Sequence, residues 1–425
     1  MSELAISSTK WLVISLRNGA GIVFNLNDTK QWQYLQPDVA NDQSQQKTND
    51  DDDENTSDLN RNLVKFTPDG QKLVINGQNK QIYIYIPSDD KKTYWQLQRI
   101  ITVIKRASAL DLTNDFLLIA DKSGDVYQTD LSTTNNVTLT GENCLMGHLS
   151  MLLDVAFVRT NDEQEYILTA DRDEKIRLSH YPNAYNIEGY CLGHTEFVSH
   201  VKLIDSNRIL SASGDGTLRL WHLPDCIQLN VFDSQTLTSS AKQIFYGQSS
   251  SSDYQSSSSI NHSIWKMDVA SASDVFLAFS IYADRAHSIY LTTLTNLEKT
   301  SNEQRKLTFN STYGTIIDYC FSSNDLYILF DSHNLLTVNI PSVLSCDKSE
   351  YVQDNDSSIS AILATKGFHL MNNINSLEVI FKQLFKTRGD PGDSSYHKRK
   401  NQRLEEQEEK RRKKQEKQST TDENI

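Results

Sequence analysis

The sequence predicts an all-β fold, a closed ring of seven four-stranded blades, on three observations. The segment from Cys144 to Leu223 says the same thing twice. Gly147-His148 leads through Leu152 to Thr169-Ala-Asp-Arg-Asp-Glu-Lys-Ile-Arg-Leu-Ser179, and Gly193-His194 leads through Val198 to Ser211-Ala-Ser-Gly-Asp-Gly-Thr-Leu-Arg-Leu-Trp221. Seven short apolar strands recur along the chain, beginning at Ile22, Ile82, Val126, Ile176, Leu218, Ile289 and Leu335. Their separations are 60, 44, 50, 42, 71 and 46 residues, and each of the two long gaps holds a polar insertion, so the period of one blade survives.

Each marker strand follows a partner strand and a turn, as Lys72 to Ile75 precede Gly77 and Phe116 to Ala120 precede Gly124. Short β-branched and aromatic runs bounded by Gly, Asn and Asp form antiparallel strands. A Gly-His, an Asp in a tight turn and a strand ending near Trp mark a WD-repeat blade. Closing seven such blades removes the free edges that invite aggregation. Because the chain begins within a blade, its N-terminal strands are expected to complete a blade opened by the C-terminal ones. The propeller is assigned to residues 1–345. Two insertions within it, 41–58 with five consecutive acids from Asp50 to Glu54 and the serine-rich 248–260, are too polar to bury and are expected to be mobile loops. In the segment 346–387, Ile374, Leu377, Ile380, Phe381, Leu384 and Phe385 have helical spacing, which predicts an amphipathic helix over Asn373 to Lys386. Residues 388–425 read as a charged, disordered tail.

Composition narrows the function. A hydrophobic content of 38% supports a large core, and no apolar run approaches the roughly 20 residues of a membrane span. Met1-Ser-Glu-Leu-Ala lacks the basic start of a signal peptide. Five scattered cysteines make no disulfide framework and fit a reducing cytosol or nucleus. The net charge of −13 is uneven: the chain from Lys386 onward has twelve basic against nine acidic residues, so the body is the acidic part. An acidic body repels phosphate, which argues against the ring alone binding nucleic acid strongly.

Several residues suggest chemistry. Cys144, His148, Cys191 and His194 carry zinc-ligand types, but their spacing is not that of a finger. The blade register supplies a structural account instead, with His148, Thr169 and Asp173 in the first copy and His194, Ser211, Asp215 and Trp221 in the second forming hydrogen-bond chains that hold each turn. That account also covers the triad-like His194, Ser211 and Asp215. No Gly-x-Ser-x-Gly elbow, P-loop or Gly-x-Gly-x-x-Gly appears, so the chain is read as no enzyme. In the first copy Ser179 stands where the second has Trp221, and the turn is dense in charge. Alternation along the strand puts Lys175 and Arg177 on one face. Isolated surface ion pairs stabilise little, so Arg172, Glu174, Lys175 and Arg177 read as a recognition surface. In the tail, Lys398, Arg399 and Lys400 and then Lys410, Arg411, Arg412, Lys413 and Lys414 form a candidate nuclear-import signal, a phosphate-contacting arm or a solubilising tail.

The run from Thr169 to Arg177, followed by Tyr181-Pro182, Ile187-Glu188 and Cys191-Leu-Gly-His-Thr-Glu-Phe-Val-Ser199, closely resembles the WD-repeat, non-catalytic subunit of the eukaryotic tRNA (guanine-N7)-methyltransferase. The match covers about residues 147 to 224. Elsewhere the likeness is blade count and order. The resemblance implies a heterodimer in which a separate catalytic subunit binds S-adenosylmethionine and methylates a guanine in the tRNA variable loop; the expected location is the nucleus, with the cytoplasm as a further compartment. This chain would then hold no cofactor of its own, stabilise its partner and meet tRNA mainly through it. The alternative is a WD-repeat substrate receptor of a cullin-type ubiquitin ligase. The resemblance also implies that the charged blade meets the catalytic subunit. On that reading Arg177→Glu is expected to leave the ring folded and to abolish co-purification with the methyltransferase.

Overall fold

The computed structural model describes residues 2–16, 19–37, 62–77, 80–90, 93–246, 262–271, 274–282, 288–299, 304–309, 313–345, 358–366, 368, 370 and 384. They form seven antiparallel sheets arranged as the blades of a propeller. Blade one holds Leu4–Ile6, Trp11–Ser15, Gly21–Asn25 and Trp32–Leu35, and blade two Val64–Phe66, Leu73–Asn76, Gln81–Pro87 and Trp95–Thr102. Blade three holds Ala107–Leu112, Phe116–Asp121, Asp125–Asp130 and Cys144–Gly147, and blade four Leu152–Arg159, Glu165–Asp171, Ile176–His180 and Ile187–Cys191. Blade five holds Val198–Asp205, Arg208–Ser213, Thr217–His222 and Ile227–Asp233, and blade six Ile264–Ser271, Val275–Ile281, Ser288–Thr293 and Arg305–Phe309. Among the described residues blade seven has three strands, Ile316–Ser322, Asp325–Phe330 and Leu335–Asn339. All seven marker strands read from the sequence are third strands of their blades.

The first strands touch in cyclic order, one to seven and back to one. Seven apolar clusters fill the seams between neighbouring blades, such as Ala109, Leu118 and Val126 of blade three against Leu152, Val155 and Ile167 of blade four. Both faces of the inner strands are therefore covered, and second strands such as Leu73–Asn76 and Phe116–Asp121 are almost wholly buried. Two short strands extend the ring's rim in parallel pairing, Val137–Thr138 on blade two and Lys242–Tyr246 on blade six.

Near the axis, one carboxylate per seam bridges successive blades at four places. Asp111 accepts the Phe157 N–H at 2.7 Å, Asp154 that of Val201 at 2.9 Å and Asp268 that of Phe321 at 3.0 Å. Asp318 of blade seven accepts the Leu4 N–H of blade one at 2.7 Å, which closes the ring. Lysines neutralise these acids: Lys65 lies 2.9 Å from Asp111, Lys202 3.2 Å from Asp268 and Lys266 2.6 Å from Asp318.

Closure differs from the sequence expectation. Blade one draws all four strands from residues 4–35, so no blade is shared between the chain ends. Where blade seven lacks a fourth strand, a helix at Ser358–Lys366 covers the open edge, a helix the periodicity did not show. Ser360 Oγ accepts the Leu335 N–H at 2.9 Å, and Ile359 and Leu363 are buried against Leu329 and Leu335. Phe368 beyond it stacks on Tyr34 of blade one, with ring centroids 5.8 Å apart. The helix anticipated at Asn373 to Lys386 lies outside the described residues apart from Leu384, which is helical and buried. Both insertions and the whole of 388–425, with both basic runs, also fall outside them. No helix among the described residues is long and apolar enough to cross a membrane.

Asp318→Ala is expected to destabilise the chain by on the order of 3 kcal/mol, because it orphans both Lys266 and the Leu4 N–H. The urea unfolding midpoint reads this directly; an unchanged midpoint would show that closure does not rest on Asp318.

Candidate partner interface

Blade five shows the structural network in full. His194 Nδ1 meets Asp215 Oδ2 at 2.9 Å and its Nε2 meets Ser211 Oγ at 2.7 Å, while the Trp221 indole N–H donates to the same Ser211 oxygen at 2.8 Å. Asp215 also accepts the backbone N–H groups of Thr195 and Thr217, at 3.0 and 2.8 Å. Burial pushes the Asp215 carboxyl up, but His194 and these donors outweigh it and hold it well below the usual carboxylate range. Ser211 is wholly buried beneath Trp221, so the triad-like set has no face to offer a substrate.

Blade four builds its turn differently. His148 Nε2 lies 3.0 Å from Thr169 Oγ1, as predicted, but the carboxylate beside its Nδ1 is Asp171, 3.9 Å away, rather than Asp173. Asp171 Oδ1 accepts the Lys175 N–H at 3.0 Å. Blade three uses Asp121 the same way, on Ser123 and Asp125. In both blades the acid that ends the second strand caps the turn, whereas blade five has Ser213 there and takes its acid two residues later. Aligning Asp173 with Asp215 concealed this alternative. Burial first, and the charges of Arg177 and Lys175 second, pull the His148 imidazole down to about 4.

Arg177 also departs from expectation. It shares a strand face with Ser179, and that face packs into the seam instead of meeting solvent, leaving Arg177 only 8% exposed. Its Nε donates to Ser179 Oγ at 2.8 Å, and its terminal nitrogens donate to the carbonyls of Ala184 at 2.9 Å and Gly147 at 3.3 Å. The guanidinium fills the space that Trp221 fills in blade five. There the aligned Arg219 is displaced outward, donating to Thr217 Oγ1 and Gln228. The missing Trp is thus exchanged for an internal Arg.

What faces outward is Lys175, with Arg172 and Glu174 partly covered in the same turn. Strand pairing runs from Ile176–Cys191 to Arg177–Tyr190, which sets Lys175 beside Leu192, itself 63% exposed. Tyr190, Ile187 and Tyr185 continue an exposed apolar edge on blade four, and Ile227 (55% exposed), Leu229 and Val231 extend it on blade five. A Cβ built at Gly189 would stand 3.0 Å from Cys226 Sγ, so the outer strand of blade four meets the turn that leads into the outer strand of blade five. With Leu149, these make eight of the eleven exposed large apolar side chains among the described residues; only Tyr34, Leu97 and Ile104 lie elsewhere. Such concentration marks a docking surface. The sequence reading missed it, although the alternation Ile227-x-Leu229-x-Val231 on an outer strand was its available signal.

Two outcomes follow from this geometry. Arg177→Glu is expected to cost about 3 kcal/mol or more, since it buries an unpaired acid among carbonyls; equal urea midpoints for variant and native chain would refute the buried assignment. For His148, the folded state resists protonation, so its contribution to stability is complete above about pH 6.5 and is lost as the pH falls from 6.5 toward 4. That loss amounts to about 3 kcal/mol. His194, also shifted down by burial, acts with the same sign. His148→Gln should flatten the pH dependence of urea unfolding in this window, and an unaltered slope would count against the assignment.

Comparison with known proteins agrees with this architecture. The family model for the tRNA methyltransferase TRM82 WD40 domain matches residues 25–143 and 136–334. A mouse protein named tRNA (guanine-N(7)-)-methyltransferase non-catalytic subunit WDR4 is 38% identical over 185 residues, 42% of this chain and 41% of the relative. The wdr4 subunit of Dictyostelium discoideum is 29% identical over 57% of this chain and 50% of its own length, and wuho of Drosophila melanogaster 37% identical over 37% and 36%. The matched stretch thus spans between about a third and a half of these relatives. A chain from a crystal structure of the mitotic checkpoint complex shares the fold, with a TM-score of 0.52 at 14% identity over 79% of this chain and 86% of that one. The chain belongs to the family of the tRNA methyltransferase TRM82 WD40 domain.

Proposed function

We propose that this chain is the non-catalytic scaffold of a heterodimeric tRNA (guanine-N7)-methyltransferase, and that it docks its catalytic subunit on the turn and outer edge of blade four. The observation that carries this is the exposed Lys175 beside the apolar edge of Leu192 and Tyr190, on a ring otherwise closed around its core. Family membership and the printed names of the relatives support the enzyme class. The apolar edge supplies the buried centre of the interface, and Arg172, Glu174 and Lys175 supply a charged rim that orients the partner. Arg177 acts from behind, as a positioning residue that shapes the strand carrying the turn. Binding only the folded catalytic subunit stabilises that subunit by mass action.

In this proposal S-adenosylmethionine belongs to the catalytic partner, and tRNA is held mainly there, because the acidic body of this chain disfavours phosphate. The methylated guanine is that of the variable loop, and the complex works in the nucleus, with residues 398–400 and 410–414 serving import.

Lys175→Glu and Leu192→Asp test the two halves of the surface. Each is expected to leave the unfolding midpoint of the free chain unchanged and to weaken capture of co-expressed methyltransferase by at least about tenfold. Undiminished capture and normal tRNA N7-methylguanosine in the double variant would overturn the proposal.

A further inference from the structure

We infer that Cys191 and Cys226 form a thiol pair that oxidises reversibly to a disulfide across the seam between blades four and five. Cys191 ends the outer strand of blade four and is fully buried, while Cys226 sits in the turn before the outer strand of blade five and is partly exposed. The two residues pack in one core cluster at this seam. Gly189 is what admits this approach: it lies on the same strand face as Cys191, and a Cβ there would stand 3.0 Å from Cys226 Sγ. Cys226 holds a left-handed backbone, with φ of 56°, in the turn that meets blade four at Gly189. In the reduced state Cys226 donates its thiol to the Pro224 carbonyl at 3.5 Å, as Cys144 does to the Met146 carbonyl of its own strand at 3.3 Å.

The pair is asymmetric in the way thiol exchange requires. Cys226 is the partly exposed member of the pair, and the neighbouring Cys191 thiol lowers its pKa, favouring the thiolate. With a small disulfide such as glutathione disulfide as oxidant, the Cys226 thiolate attacks one sulfur and the glutathione S–S bond breaks. The first glutathione leaves and takes up the proton that Cys226 lost. Cys191 then attacks Cys226 sulfur, the mixed disulfide breaks, and the second glutathione leaves with the Cys191 proton. The pair loses two electrons and glutathione disulfide gains them. The product ties the outer strand of blade four to the outer hairpin of blade five beneath the apolar edge, whether or not a methyltransferase docks there.

The test treats the purified full chain with glutathione disulfide, traps remaining thiols with an alkylating agent and maps the peptides by mass spectrometry. The expected result is one cross-link, Cys191 to Cys226, with the other three cysteines alkylated and the link undone by reduced glutathione. Cys191→Ser is expected to stop at a glutathione adduct on Cys226, and Cys226→Ser to leave Cys191 unmodified in the folded chain. Should Cys191→Ser not fold, Cys226→Ser tests the same order of events from the surface side. A lasting glutathione adduct on Cys226 of the native chain, a link to another cysteine, or free alkylation of both thiols after oxidation would each overturn the inference.

Discussion

Every blade leaves its first strand with one side facing the channel and no neighbour there in its own sheet. The backbone N–H groups on that side need acceptors, since an unmet donor in the interior is costly. At four seams the preceding blade supplies one through an aspartate, so the same carboxylate that satisfies a strand also joins two blades. Asp111, Asp154, Asp268 and Asp318 repeat this arrangement, and the lysines of blades two, five and six keep the acids from facing one another unpaired. Burial raises Asp154 and Asp318, and neighbouring lysines oppose that rise. The ring is therefore fastened at its axis by charge and at its seams by apolar packing. Closure between blades seven and one uses the same carboxylate device as the interior seams.

This explains which parts of the fold the sequence made legible. Third strands stand between two partners and a fixed turn, so their apolar character and spacing survive insertions, and all seven were readable. Ring closure was not, because a blade of three strands with a helical cover has no periodic signature: Ser358–Lys366 owes its place to Leu329, Leu335 and the open edge rather than to its own pattern. A legible signal nonetheless went unused. A lone acid inside an apolar first strand recurs as Leu110-Asp111-Leu112, Leu153-Asp154-Val155, Met267-Asp268-Val269 and Ile317-Asp318-Tyr319. In a half-solvated strand such an acid would point to water. In a strand buried on both faces it announces a specific acceptor role.

The candidate site was legible in position and misread in detail. Ser179 in place of Trp suggests charge released to the surface, but a gap in a packed seam must be refilled, and Arg177 refills it with three hydrogen bonds. Period-two alternation sorts residues into two faces without saying that either is wet. Among blades, both faces of the third strand are dry. On this side of the blade the turn at Lys175 and the outer strand remain available, which is why a charge and a run of apolar residues face outward there.

That restriction bears on how such a ring can recognise anything. A propeller whose inner strands are covered on both faces confines recognition to turns and outer strands, and a change in the interior reaches the surface only by shifting those elements. In blade four the turn rests on Asp171 and Lys175, the strand behind it on Arg177 and Ser179, and the edge on Cys191 and its contact with Cys226. Each is tied to a neighbouring blade or strand: His148 approaches Asp171, the Gly147 carbonyl accepts from Arg177, and Cys226 meets Cys191. The exposed residues of the edge are thus positioned by a buried layer that spans three blades. A partner that reads Lys175 and Leu192 reads the geometry of that layer, so residues that never touch the partner set the shape it meets.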